Sequence, residues 1–163
     1  IAEYVQNSTI AQKDIIINVQ GDEPMFEPQT IDSFAEHIKA NNHDYGSVCK
    51  LPTSNGFLSD RNKVKVALDK HNYAIEFSRE EIKGHKNYHH VGVYAYRPQT
   101  LLNYNIWKES NLEVLEGLEQ LRFLENGCSI KCVLVDSRGR TFWELNNPED
   151  VLRIEKVINK KGK

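Results

Sequence analysis

No apolar run in the 163-residue chain comes near the roughly 18 residues needed to cross a bilayer. Ile1-Ala2-Glu3-Tyr4 also lacks the basic segment and long apolar stretch of a secretory leader, so neither a membrane-spanning nor a secreted protein is expected. A basic surplus is missing too: 21 Lys plus Arg stand against 23 Asp plus Glu, a formal net charge of -2. Grip on a phosphate backbone needs the opposite balance, which disfavours nucleic acid as a partner. Cysteines are few and odd in number, Cys49, Cys128 and Cys132, which excludes a disulfide framework and fits a reducing cytoplasm. Cys128 and Cys132 are spaced to share a face of a strand-like stretch, but no further Cys or His pair completes a zinc site, so all three are read as structural thiols. Internal repeats and low-complexity linkers are absent. The chain begins with Ile and holds one Met, Met25, and is expected to be part of a longer protein. What is present is an ordinary globular balance of 39% hydrophobic and 27% charged residues, enough for one domain over residues 1–163.

Hydrophobic spacing predicts an α/β order. Ile1 to Ile10 reads as the end of a helix with Ile1, Tyr4 and Val5 on one face, leading into a buried, parallel-type strand over Asp14 to Val19. Ile31, Phe34, Ala35 and Ile38 mark a helix face, and Ser47 to Leu51 a strand stopped by Pro52. Alternation over Asn62 to Asp69 and over Tyr73 to Phe77 predicts a β-hairpin turning at Lys70-His71-Asn72. Glu80 to Tyr88 reads as an exposed loop and His90 to Tyr96 as a further strand. Pro98 opens a helix; Leu112, Leu115 and Leu118 mark another that runs to Glu125 and stops at Asn126-Gly127. Ile130 to Val135 is a strand. Asn147-Pro148-Glu149-Asp150 starts the last helix with an N-cap and two acids at its positive end, and the Lys-rich tail is solvated.

Four groups of residues carry candidate chemistry. Gln20-Gly21-Asp22 falls at the carboxyl end of the first strand, where ligands bind in open α/β sheets. Gly21 admits a ligand close to the backbone, and Asp22 offers a hard oxygen to a Mg²⁺ that bridges nucleotide phosphates; the same residues also suit an ordinary turn. Glu116, Glu119 and Gln120, spaced i, i+3, i+4, gather two carboxylates and an amide on one helix face, either for sugar hydroxyls or as a solvated surface. His90 and Tyr94 share one side of a strand, as ligand-binding or structural groups. Arg79 offers a fork of donors to a carboxylate or phosphate, or makes a surface salt bridge.

Taken in order, Ile16-Ile17-Asn18-Val19-Gln20-Gly21-Asp22-Glu23-Pro24, Val64-Lys65-Val66-Ala67-Leu68-Asp69, Phe77-Ser78-Arg79, His90-Val91-Gly92-Val93-Tyr94-Ala95-Tyr96-Arg97, Leu118-Glu119-Gln120-Leu121-Arg122 and Asn147-Pro148-Glu149-Asp150 cover essentially the whole chain. This series resembles the 3-deoxy-manno-octulosonate (Kdo) cytidylyltransferases, or CMP-Kdo synthetases. The resemblance implies a three-layer, nucleotidyltransferase-type (Rossmann-like) sheet flanked by helices, with a β-hairpin extension for dimerisation and sugar binding. It also implies transfer of CMP from CTP to Kdo with release of pyrophosphate, for lipopolysaccharide biosynthesis, by a homodimer using Mg²⁺. Asp22 would be the catalytic residue and a metal ligand. Gln20, His90, Tyr94, Glu119 and Gln120 would line the sugar site, with Arg79 a weaker member.

The sequence departs from the family in three places. The Gly- and Arg-containing phosphate loop of the family is not found here, so the chain is expected to be a C-terminal portion. Asn146 stands where the family has a second Mg²⁺-binding Asp; an amide oxygen still coordinates but brings no charge, which lowers metal affinity. Ser110-Asn111 replaces the usual Ser-Pro. The alternatives are a non-catalytic sugar-acid-binding or dimerisation module, and a cytidylyltransferase for another sugar acid such as sialic acid.

Overall fold

The computed structural model describes residues 1–136, 145 and 147–161. Its sheet is organised by the ten-residue strand β5 (Asn87–Tyr96), buried throughout from His89 to Tyr96. Along one edge β5 pairs antiparallel with β2 (Tyr45–Lys50), which pairs parallel with β6 (Lys131–Val135). Along its other edge it serves two strands in succession, β3 (Lys65–Leu68) beside Asn87 to His89 and β1 (Ile16–Val19) beside Val93 to Tyr96. With β4 (Ala74–Ser78) the order is β4-β3-β5-β2-β6, β1 lying off this path.

The expected setting of β1 is corrected. It is half-buried rather than buried, and its partner among the described residues is the antiparallel β5, not a parallel neighbour. The cause is the length of β5, which leaves room for β1 beyond the end of β3 on the same edge. The predicted hairpin forms from β3 and β4 and joins the main sheet through β3. Asn72 takes φ 61° at its turn. The Asp69 carboxylate closes the turn by accepting the amide hydrogens of His71 and Tyr73, each at 2.8 Å.

Side chains alternate across this sheet and build a core on each face. On one face Val91, Val93 and Ala95 pack with Val48 against Phe34 and Ile38 of α2 (Pro28–Ala40), close to the spacing read from the sequence. Gly46 permits that approach, since a Cβ there would lie 2.3 Å from Ile38 Cδ1. On the other face Tyr45 stacks among aromatic rings, 4.7 Å from Tyr96 and 4.6 Å from Phe123. Ala2 and Val5 of α1 (Ala2–Gln6) and Leu101 of α3 (Pro98–Ile106) join the same core. The face expected for α1 is thus shifted, with Ile1 and Tyr4 left 56% and 71% exposed. Cys49 and Cys132 are buried and unbridged, and Cys128 is partly buried before β6 begins, in keeping with structural thiols.

The single helix expected from Leu112 to Glu125 is two helices, α4 (Asn111–Glu116) and α5 (Gln120–Glu125). Gly117 breaks them with φ 62° and ψ 43°, its amide donating to the Glu113 carbonyl at 2.8 Å. This left-handed cap favours glycine. Leu118 is buried while Leu115 is 75% exposed, so the leucine spacing is not one helix face.

A buried ion pair ties these helices together. Arg122 donates to both oxygens of Glu113 at 2.6 and 2.7 Å, and Tyr104 adds a hydroxyl at 3.1 Å. Burial pushes the Glu113 carboxyl upward, but the hydrogen bonds from Arg122, the Ser110 amide and Tyr104 outweigh it and hold the group below the usual carboxylate range.

In the last helix, α6 (Pro148–Lys161), the Asp150 carboxylate accepts the Asn147 amide at 2.9 Å, and Glu149 and Asp150 occupy the first turn as expected. The side chains of Lys160 and Lys161, and residues 162 and 163, lie outside the described residues. No helix among the described residues is long and apolar enough to cross a membrane.

Candidate active site

Between the end of β3 and the start of β1, the edge of β5 at His90 to Gly92 has no strand beside it among the described residues, and a cavity of about 320 Å³ opens there. Its backbone groups are met by loop segments instead. His90 donates its amide hydrogen to the Val64 carbonyl at 3.0 Å, and the Gly92 carbonyl accepts the Gln20 amide at 3.1 Å. The Gly92 amide donates to the buried carboxylate of Glu23 at 3.2 Å. Gly92 also leaves room for the Gln20 side chain, since a Cβ would stand 2.2 Å from Gln20 Oε1.

The structure gathers on this cavity the described residues that the sequence had singled out for it, apart from Gly21 and Glu116. Gln20 and Asp22 come from the loop after β1, Arg79 from the end of β4, His90 and Tyr94 from β5, and Glu119 and Gln120 from the turn between α4 and α5. Asn146 lies outside the described residues. Its described neighbour Leu145 donates its amide hydrogen to the Asp22 carbonyl at 2.9 Å.

Glu116, expected beside Glu119 and Gln120, is turned elsewhere by the break at Gly117. Its carboxylate accepts the Arg79 amide at 2.8 Å and the Ser78 hydroxyl at 3.2 Å. Arg79 answers with its guanidinium, donating Nε to the Glu116 carbonyl at 2.8 Å and its terminal nitrogens to the carbonyls of Arg61 and Gly117 at 3.2 and 3.4 Å. Three of the five N–H groups of an arginine are spent in this way. The pair is a reciprocal clasp that joins the hairpin to the turn carrying Glu119 and Gln120.

Lys65, which the sequence placed in a strand and in a quoted family segment without a role, lies beneath the clasp. It is fully buried, and its Nζ donates to the carbonyls of Asp60 and Arg79 at 2.7 and 2.8 Å. Burial pulls the ammonium below the usual lysine range, against the opposing pull of Asp60. The pairing of a charged side chain with carbonyls alone leaves no pattern in sequence. Glu23 and Gly92 were legible only as parts of quoted segments, and Asn62, which also lines the cavity, carried no signal.

The walls are acidic. Burial raises the Tyr94 hydroxyl well above the tyrosine range, helped by Tyr96 and then by the carboxylates of Glu119, Asp22 and Glu23. Tyr94 is therefore a neutral phenol at physiological pH, able to donate a hydrogen bond. His90 Nε2 lies 2.8 Å from the Ser47 hydroxyl. Gln120 is 4% exposed, and its Nε2 has no hydrogen-bond partner among the described residues. A buried amide nitrogen without a partner is costly, and here it belongs to the wall of a polar cavity.

Among the described residues no group of three His, Cys, Asp or Glu side chains is placed to hold a metal. Asp22 offers an exposed carboxylate at the cavity. One carboxylate completed by substrate phosphates and waters is how Mg²⁺ is commonly bound, so the residues present fit Mg²⁺ arriving with a nucleotide.

Comparison with known proteins places this geometry. The cytidylyltransferase family model matches residues 1–132. The chain belongs to this family. A 3-deoxy-manno-octulosonate cytidylyltransferase of Maricaulis maris (strain MCS10) is 35% identical over 165 residues, covering 91% of this chain and 64% of that protein. The enzyme of the same name from Vibrio vulnificus (strain YJ016) is 35% identical over 175 residues, covering 99% and 69%. The chain thus spans just under two thirds of the length of the first of these relatives and slightly more of the second. Among solved structures, CMP:2-keto-3-deoxy-manno-octonic acid synthetase complexed with CTP superposes with a TM-score of 0.86 at 28% identity, over 98% of this chain and 66% of that one. The inositol-1-phosphate CTP transferase from T. maritima, at 14% identity and a TM-score of 0.60, shares the fold. The expected nucleotidyltransferase-type α/β architecture is borne out.

Proposed function

We propose that the protein to which this chain belongs transfers CMP from CTP to Kdo, forming CMP-Kdo and pyrophosphate. The observation that carries the reading is the polar cavity itself, in which the buried Gln120 amide nitrogen awaits an acceptor. The relatives named as Kdo cytidylyltransferases and the synthetase solved with CTP support the same substrates.

In this reaction the anomeric hydroxyl of Kdo gives up its proton to water and its oxygen forms a bond to the α-phosphorus of CTP as the bond to pyrophosphate breaks. Asp22 would hold Mg²⁺, with Asn146 as a second, uncharged oxygen ligand; the ion supplies neutralising charge at the phosphates. Gln120 donates its amide to a sugar oxygen, Glu119 accepts from a hydroxyl, and Tyr94 donates as a neutral phenol. Gln20 closes the floor over Gly92. Arg79 is assigned chiefly to holding the wall, because most of its donors are committed to carbonyls.

Further parts of the proposal rest on other features. Ile106 of α3 and Val114 and Leu115 of α4 are 78%, 67% and 75% exposed, apolar side chains that support homodimer formation. The unbridged thiols support a reducing cytoplasm, and CMP-Kdo would serve lipopolysaccharide assembly.

The test is pyrophosphate release with CTP, Kdo and Mg²⁺, measured on this chain, its Asn146→Asp variant and a longer form containing it. Release that needs all three reagents supports the proposal, and silence in every form overturns it. Saturable Kdo binding with that silence would select the sugar-acid-binding module. Faster release with a sialic acid than with Kdo would select the other sugar acid.

A further inference from the structure

Three stretches of backbone outside the strand ladders meet at one wall of the cavity: the turn at Asp60 and Arg61, the exit of β4 at Arg79, and the break at Glu116 and Gly117. Two cations tie them together through carbonyl oxygens. The Arg79 guanidinium reaches from the Arg61 carbonyl to those of Glu116 and Gly117. Lys65 stands on β3 between Ser78 of β4 and His89 of β5, and is fully buried. Its Nζ donates to the Asp60 carbonyl at 2.7 Å and to the Arg79 carbonyl at 2.8 Å, with the centroid of the Phe57 ring 5.5 Å away. Burying an ammonium is costly, and an apolar side chain would fill the space without that cost. It could not hold two carbonyls. The Asp60 carbonyl belongs to a turn closed by the Lys63 amide at 3.1 Å, while the Asp60 carboxylate accepts the Asn62 amide hydrogen at 3.1 Å. Asn62 and Arg79 both line the cavity, and Lys65 does not.

We propose that Lys65 is a positioning residue for the cavity: by holding the Asp60 and Arg79 carbonyls on one ammonium, it sets the spacing of the segments that carry Asn62, Arg79 and, through the Arg79 clasp, Glu119 and Gln120. Its part is mechanical, one layer beneath the groups that meet a ligand. Without it the Asp60 and Arg79 carbonyls lose a shared donor, the exit of β4 is free to shift, and the guanidinium that grips Glu116 and Gly117 shifts with it. The link lies within the chain itself; its consequence for ligand affinity rests on the sugar-acid reading of the cavity.

The test uses this chain labelled with ¹⁵N. The Arg79 Nε–H, which donates to the Glu116 carbonyl, should give a side-chain signal protected from exchange with water, assigned by its loss in Arg79→Lys. Lys65→Met keeps an unbranched apolar stem and removes the donors. It should lose that protection and bind Kdo about tenfold more weakly, the equivalent of about one hydrogen bond. Val66→Ala trims the next residue of β3, which is fully buried in the aromatic core. It should be less stable than the parent yet keep both the protected signal and the parent's affinity, which separates positioning from general loss of stability. Lys65→Gln retains an amide donor and replaces the methionine variant if that one does not fold; it should show the same two losses to a smaller degree. Free exchange of the Arg79 signal in the unaltered chain overturns the proposal. So does a folded Lys65 variant that keeps the protection or keeps the affinity of a parent that binds Kdo, and so does a folded Val66→Ala that loses them. Protection lost in the Lys65 variants, with no Kdo binding by the unaltered chain, would overturn the sugar-acid reading and leave the positioning role of Lys65 standing.

Discussion

Two glycines in this sheet face opposite sides, and replacing each by alanine separates function from stability. At Gly92 the new Cβ would meet Gln20 Oε1 at 2.2 Å, with Gln20 Cδ at 3.1 Å and Cβ at 3.5 Å. The worst clash is with the far end of a flexible, exposed side chain, and Gly92 is not among the glycines with positive φ. Gln20 can swing away, so Gly92→Ala should cost less than about 1 kcal/mol of stability, within the range of ordinary surface changes. The displaced amide leaves the cavity floor, and ligand binding should weaken by about one hydrogen bond, or roughly tenfold. At Gly46 the new Cβ would meet Ile38 Cδ1 at 2.3 Å, Cγ1 at 2.9 Å and Phe34 at 3.2 Å. Both are core side chains with nowhere to go, so Gly46→Ala should cost about 1–3 kcal/mol, as overpacked cores do, with binding unchanged while the protein stays folded. Urea denaturation and Kdo titration of the two variants side by side measure both effects. The reasoning is refuted if Gly92→Ala binds Kdo as well as the parent, or if Gly46→Ala unfolds at the parent's urea concentration.

Other outcomes follow from the clasp and the buried ion pair. Glu113→Gln leaves Arg122 charged and buried without its partner, and should lower unfolding free energy by about 3–5 kcal/mol in denaturant titration. Because Glu113 is held below its unfolded value, its contribution is full above the ordinary carboxylate pKa of about 4.3 and is lost as pH falls through the lower folded value; acid unfolding of Glu113→Gln should lack that component. Glu116→Ala frees the Arg79 amide and the Ser78 hydroxyl, and is expected to raise the KM for Kdo more than it lowers kcat in a longer form with the proposed activity, with Glu116→Gln partly restoring it.

The fold was legible wherever one element decides its own pattern. Phe34 and Ile38 announced the buried face of α2, alternation announced the β3–β4 hairpin, and Asn147-Pro148 announced the start of α6. What stayed hidden depended on partners. The setting of β1 is fixed by the length of β5, which no residue of β1 encodes, and the break at Gly117 was masked by leucines whose spacing imitates a continuous helix. The same break explains the uneven reading of the site. Glu119 and Gln120 were placed correctly, but through an i, i+3, i+4 helix face that does not exist, and Glu116 left the group because its carboxylate found the Arg79 amide. Lys65 was quoted only within a family segment, because its significance lies in two distant carbonyls. The family motifs, by contrast, carried Gln20, Asp22, His90 and Tyr94 to one cavity, since each sits on the rigid strand β5 or at the end of β1 beside it.

The charge of that cavity yields a last prediction. Asp22, Glu23 and Glu119 all bear on the Tyr94 hydroxyl, whereas the Arg79 guanidinium is turned largely onto backbone carbonyls. A sugar acid entering these walls alone meets net repulsion. Removing one exposed carboxylate with Asp22→Asn should relieve about 1 kcal/mol at high effective dielectric, so Kdo binding measured with a chelator present should tighten about fivefold. In a longer form with the proposed activity, the same substitution removes the carboxylate proposed to hold Mg²⁺, and Mg²⁺-dependent release of pyrophosphate should collapse. A residue that merely shaped the cavity would weaken both. Calorimetric titration of Kdo in chelator, set beside turnover in Mg²⁺, therefore distinguishes charge from shape. Weaker binding of Kdo to Asp22→Asn without metal would refute the electrostatic account and leave Asp22 as a contact of the sugar itself.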